Sequence, residues 1–285
     1  MLTRKNRFYE KFIRSGEITD WLDYCSSSIW DDIKANFLLG DRLARINEVE
    51  FTNRLCRDLS ILIANDKIQS PIRLWHAKNE KANGNDLEIV VEVDSDRYLV
   101  FPCQCKRIFR GTVNTEPKYR QIWHSSDEYG FQIQNLLEYA EKVGGIPIYL
   151  FFNYIDDVNF SEDYGITVCD GAYIAKQYYF IENYPSAISF KNVHPPAQRI
   201  SDFIKNRGLS TYKHIKYEPK LYSSKDLDII PGWMEINPPI EYSDGRYVAL
   251  QVNSENSSRK SINFTPKFRI MFTISKFQHR IINWR

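Results

Sequence analysis

The stretch that most constrains this chain is Asn83 to Lys106, NGNDLEIVVEVDSDRYLVFPCQCK. Val, Ile, Leu, Tyr and Phe crowd two short runs, about 86–94 and 97–107, with Ser95-Asp96 as turn chemistry between them. The composition predicts a β-hairpin. Side chains alternate faces along a strand, so Asp86 and Glu88 share one face of the first strand, and Gln104 and Lys106 share one face of the second. If the hairpin pairs so that these faces coincide, two acids, an amide oxygen and an ammonium converge near one point. The same residues are also explained by a solvated polar face on an amphipathic hairpin, and the sequence alone leaves both readings open.

The helices around the hairpin follow from spacing. Residues 41–65 read as one helix with Asp41 as its N-cap and Phe51, Leu55, Leu59 and Leu62 as its buried stripe. Extending the stripe back by three residues from Phe51 reaches Glu48, whereas Glu50 falls on the opposite side. A carboxylate in line with an apolar stripe needs a base, a cation or a helix-end position, because burying it alone is costly. A strand at 72–78 precedes the hairpin, and a long loop, 109–128, follows it with Tyr119, Trp123 and His124. A second helix, 129–143, buries Phe131, Leu136, Leu137, Ala140 and Val143, and Gly144-Gly145 ends it. Gln132 lies on the packed side of that helix. The unbroken apolar run 146–154 fits a strand buried on both faces, in parallel pairing.

Composition excludes several classes. The chain has 285 residues, 43% hydrophobic and 26% charged, with a net charge of +2, so any nucleic-acid contact must come from local clusters. No run approaches a membrane span, and the first residues lack the apolar core of a signal peptide. Five cysteines without framework spacing point to a reducing cytoplasm. Cys103 and Cys105 have no second Cys or His pair at matching spacing, so they read as core thiols rather than zinc ligands. Near the N-terminus, 1–40 reads as an accessory segment in which Ile18-Thr19-Asp20 begins one helix and Ser28 another; its basic cluster is a solvated face. Towards the C-terminus a hairpin is expected over 246–253 and 261–277. In KFRIMFTIS, Lys267 and Arg269 alternate with Phe268, Ile270, Phe272 and Ile274, so one face would be buried and the other cationic. Phosphate binding would use such a surface, and so would an edge strand protected from aggregation.

The order helix, strand, strand, strand, helix, strand, with an acid opening one strand and Q-x-K on the next, resembles the PD-(D/E)xK nuclease superfamily. The Q-x-K variant is most similar to its Mrr-type restriction endonuclease branch. More narrowly, EVEFT at Glu48, EKANGNDLE at Glu80, QCKR at Gln104, the helix from Gln132 to Ala140 and PIY at Pro147 resemble a bacterial family of uncharacterised function within the same superfamily. The likeness covers about residues 42–180.

The resemblance implies an α/β fold: a restriction-endonuclease-like αβββαβ core (41–180) with a mixed central sheet flanked by helices, an N-terminal helical segment (1–40) and a β-rich C-terminal extension (181–285). It implies a Mg2+-dependent endonuclease, with Mn2+ able to substitute, that hydrolyses phosphodiester bonds, acts on double-stranded DNA and serves bacterial defence against foreign DNA. Asp86 would be the central metal carboxylate, Glu48 the helix acid completing the site, and Gln104 an amide ligand where most members have an acid. Lys106 would orient or activate the attacking water, Gln132 would contact the site, and Glu88 would be a second-shell or second-metal acid. Arg107, Lys267 and Arg269 would hold nucleic acid. Whether a second copy or an activating protein is also a partner stays open. The alternative is a catalytically inactive nucleic-acid-binding or regulatory protein on the same fold.

Overall fold

The computed structural model describes residues 4–39, 48–64, 72–77, 87–110, 116–122, 125–126, 130–178, 187–208, 214–228, 233–235 and 266–273. Three helices come first: α1 (Arg4–Ser15), α2 (Ile18–Leu39) and α3 (Glu48–Ala64). Next are β1 (Ile72–Ala77), β2 (Leu87–Asp94), β3 (Arg97–Phe109), β4 (Lys118–Arg120) and the small pair β5 (Ser125–Ser126) and β6 (Gly130–Phe131). Then follow α4 (Gln132–Val143), β7 (Ile148–Phe152), β8 (Ile166–Asp170), α5 (Gly171–Tyr178), β9 (Ala187–Ser189), α6 (Phe190–Val193), β10 (Gln198–Arg199) and α7 (Ile200–Lys205). The last described elements are α8 (Ser224–Asp228), β11 (Trp233–Glu235) and β12 (Phe268–Phe272).

Ten of these strands form one open, mixed sheet flanked by helices, so the chain is mixed α/β. Its main path runs β10-β8-β7-β3-β2-β12-β1-β11, and β4 and β9 extend from the far end of β3. The predicted hairpin is present: Leu87 pairs with Cys103 and Val91 with Leu99, antiparallel. Its turn places Asp96 at a left-handed φ of 52°, a conformation Asp tolerates better than most residues. β7 is fully buried and runs parallel to β3, as its unbroken apolar run predicts.

One face of the sheet meets α3 and α7, with Phe51 against Phe152 at 5.2 Å and Phe101 against Phe203 at 5.0 Å between ring centroids. The stripe residues Phe51, Leu55 and Leu59 are buried. The other face carries α4 and residues 220–228, where Tyr222 and Leu227 cover Val90, Val100 and Met271. α4 ends at Gly144, whose φ of 60° lets its N–H return to the carbonyls of Ala140 and Glu141.

Three local expectations differ from what is found. α2 is one helix of 22 residues, not two. The run Ser26-Ser27-Ser28 that suggested a new start is buried. Ser26 Oγ donates to the Asp163 carbonyl (3.1 Å) and accepts from the Ile166 N–H (2.7 Å). Gly165 allows this approach, because a Cβ there would stand 1.9 Å from the Ser26 carbonyl oxygen. The expected loop after β3 contains β4, anchored by the fully buried Tyr119, whose hydroxyl donates to Asn153. Finally, β12 is no exposed cationic strand. It lies inside the sheet, parallel to β2 and antiparallel to β1, with Arg269 through Phe272 all buried. No described helix is long and apolar enough to cross a membrane.

Candidate functional site

Gln104 and Lys106 lie on the same side of β3, two residues apart and both buried, at 2% and 5% exposure. Helix α4 begins beside them. The Lys106 ammonium donates to Gln132 Oε1 at 3.0 Å, so the first residue of α4 holds the strand lysine. Gln104 Oε1 is buried and has no hydrogen-bond partner among the described residues. A buried acceptor left unmatched costs about 1–3 kcal/mol. An amide oxygen in that position is available to a cation or a donor.

Glu48 opens α3 and approaches the same strand from the opposite layer. Its Oε1 accepts the Arg107 backbone N–H at 3.3 Å, while Glu50 is exposed. β3 therefore meets Gln132 of α4 through Lys106 on one side and Glu48 of α3 through the Arg107 backbone on the other. Asp86 lies outside the described residues, as do Asp41, Trp123, His124, Ile274 and the expected strand at 246–253.

Two of the predicted residues take other roles. Glu88 is fully buried, and Arg269 Nε stands 2.5 Å from its Oε1. Tyr139 donates to the other oxygen, Oε2, at 3.1 Å. Burial, then the neighbouring Glu88 charge, hold the Tyr139 phenol well above its ordinary pKa, which keeps it a donor. Glu88 is thus the acceptor of a buried ion pair rather than a free metal ligand. Arg269, 2% exposed, is the cation of that pair and does not reach a nucleic acid at the surface. Lys267 is partly exposed and lies with its ammonium 5.4 Å from the Phe268 ring centroid. The coupling of Glu88 to Arg269 left one trace in the sequence: each is a charge with an apolar residue on either side, Leu87 and Ile89 about the first and Phe268 and Ile270 about the second.

Among the described residues no three His, Cys, Asp or Glu side chains are grouped to hold a metal ion. The Gln104 amide and the Glu48 carboxylate, each at β3, are oxygen donors of the kind that suits a hard cation better than zinc. All five cysteines are buried and free, Cys103 and Cys105 included.

The model of a family of unknown function, DUF6615, matches residues 18–219. The chain belongs to this family. The stretch matched to DUF6615 includes Glu48, Asp86, Gln104, Lys106 and Gln132, and stops before β12. No curated protein and no solved structure matches the chain.

Proposed function

We propose that this protein is a metal-dependent endonuclease that hydrolyses phosphodiester bonds of DNA. In this reading the mixed sheet contains a restriction-endonuclease-like core of the PD-(D/E)xK superfamily in its Q-x-K form, and the protein acts in the bacterial cytoplasm against foreign DNA. The observation that carries it is the buried Lys106 ammonium, held by Gln132 and two residues from the unmatched Gln104 oxygen. Gln104 and Glu48 would hold Mg2+, with Asp86 as the expected carboxylate partner. When bound, such a cation lowers the pKa of its water and neutralises charge on the phosphate.

The side chains supply the remainder. Lys106 brings its Nζ into a site sheltered from water, where a positive charge acts on an anionic phosphate with little screening. Gln132 takes one of the three ammonium hydrogens and fixes the direction of the others. The Glu48 carboxylate, tied to the Arg107 amide, keeps α3 in register with β3. The five free, buried thiols support the cytoplasmic placement.

The test is incubation of the protein with plasmid, linear and single-stranded DNA and with RNA, in Mg2+, Mn2+ or EDTA, beside Lys106→Ala. Metal-dependent cutting that Lys106→Ala loses is the expected result. One observation favours the second reading, a nucleic-acid-binding or regulatory protein without catalysis: Gln104 is neutral where an acid would bind a cation more strongly. That reading expects no cutting by either protein and binding indifferent to EDTA.

A further inference from the structure

Beyond Lys106, β3 continues past its pairing with β7 and forms a small three-stranded ribbon with β4 and β9. Ile108 pairs with Tyr119 and Phe109 with Lys118; on the other side Lys118 pairs with Ser189 and Arg120 with Ala187. Paired residues share a face, so the ribbon sorts its side chains cleanly. Ile108, Tyr119 and Ile188 point inward and are buried. The outward face carries Lys118 and Arg120, with the partly exposed Phe109 and the buried Arg107 behind them, beside the small Ala187 and Ser189; the one acid beside it among the described residues is Glu116, next to Ser189.

Lys118 and Arg120 are exposed and make no ion pair among the described residues. The nearest acid along the chain, Glu116, is taken by Lys191 at 2.7 Å. The two small residues on β9 leave the β4 cations standing clear of their neighbours. Both the Arg107 and the Arg120 guanidinium lie on the Phe109 ring, at 4.2 Å and 4.9 Å from its centroid. This arrangement orders the arginines. It also occupies the ring, whereas single-strand binding relies on aromatic faces free to stack on bases. A row of cations without a free ring fits a phosphate backbone in duplex form.

We infer that the outward face of the β3–β4–β9 ribbon, through Lys118 and Arg120 with Arg107 behind them, is a docking surface for the phosphate backbone of duplex DNA. The inference rests on the nuclease reading for its choice of DNA and extends it by assigning the grip. The ribbon begins one residue after Lys106, and Phe109 lies roughly 10 Å from it along the strand. That span is shorter than the roughly 12 Å width of a major groove. The two groups are thus close along β3, although Lys106 and Arg107 leave opposite faces of the strand.

The test measures fluorescence anisotropy of a short labelled DNA duplex in EDTA, across a salt series, for the wild type, for the Lys118→Glu/Arg120→Glu double variant and for Lys142→Glu. The double variant is expected to bind at least about tenfold more weakly and to lose roughly two units of the log–log salt slope. Its melting temperature should be unchanged, since both side chains are exposed. Lys142→Glu, a charge reversal in the last turn of α4, should bind like the wild type. Equal affinity and slope in the double variant overturn the inference, as does a wild type that binds no duplex DNA or prefers a single strand or RNA. Cutting assays on the same proteins separate the two proposals. Binding through β4 without metal-dependent cutting sinks the nuclease and leaves the surface standing, and cutting that survives the charge reversal at unaltered duplex affinity does the opposite.

Discussion

Two buried polar groups lie on the same face of the sheet, a few residues apart, and they are built on opposite plans. Around Glu88 each carboxylate oxygen has a named donor, Arg269 on one side and Tyr139 on the other. Beside Lys106, whose ammonium donates to Gln132, the Gln104 oxygen is unmatched among the described residues. Charge alone does not separate the two, because both are buried and ionic. What separates them is the acceptor: both Glu88 oxygens have donors, whereas the Gln104 oxygen has none among the described residues. A closed set holds strands together, whereas an open set retains interaction energy for something that arrives from outside.

The largest expected effect tests the open set. Lys106→Ala should lower DNA cleavage by on the order of 10⁴-fold, because a buried cation acting on developing phosphate charge is removed, while thermal melting stays within a few degrees of wild type. A variant that unfolds instead would show that Lys106 belongs with the closed set.

Next comes the closed set itself. Glu88→Ala or Arg269→Ala each strands a buried charge, and urea denaturation should show a loss of about 3–5 kcal/mol. The joint replacement Glu88→Leu/Arg269→Met removes both charges and should recover most of that loss. Failure of the joint variant to recover would mean the pair does more than hold β2 to β12.

A smaller effect is expected at Gln132. Gln132→Leu leaves Lys106 without its held direction, and turnover should fall about 10- to 100-fold with little change in stability. A fall confined to KM would point to substrate binding rather than to lysine positioning.

The smallest effect asks whether an unmatched polar atom marks function wherever it occurs. His194 Nδ1 is also buried without a partner, in a cage of Phe160, Tyr164 and Phe190 far along the chain from the candidate site. Burial pushes its imidazole below the ordinary value of 6.5. The unfolded chain then takes up this proton at a higher pH than the fold does. Stability should hold above about pH 6.5 and decline as the pH falls below it, by no more than a few degrees of melting temperature. His194→Gln should flatten that slope and leave cleavage untouched, which makes it an unmatched atom of purely structural consequence.

These contrasts also show what the sequence could disclose. The β2–β3 hairpin, the α3 stripe and the Gly144 stop follow from local rules of alternation, helical spacing and backbone freedom, and the structure has them. Gln104, Lys106 and Gln132 meet where strand parity and helix spacing put them. The continuity of α2 was hidden because Ser28, read as a helix start, instead accepts from Arg54 of α3, and Ser26 bonds Asp163 and Ile166, more than a hundred residues away. β4 escaped notice because three residues, Lys-Tyr-Arg, carry no period, and only the burial of Tyr119 fixes it. Arg269 was misassigned to a surface for the same reason: its partner Glu88 stands 181 residues earlier, and no local pattern names a partner at that distance.

The place of β12 has a consequence for how the molecule is made. During translation β1 and β2 leave the ribosome long before the strand that must lie between them. Until residues 268–272 emerge, both carry open hydrogen-bonding edges that can pair with each other or with another chain. Closing a contact across so much sequence is slow, and folding rates fall as such long-range pairings accumulate. Open strand edges of this kind are the aggregation-prone surface that chaperones exist to shield. The Glu88–Arg269 contact forms only after that wait, so the latest strand to be made closes the oldest gap in the sheet.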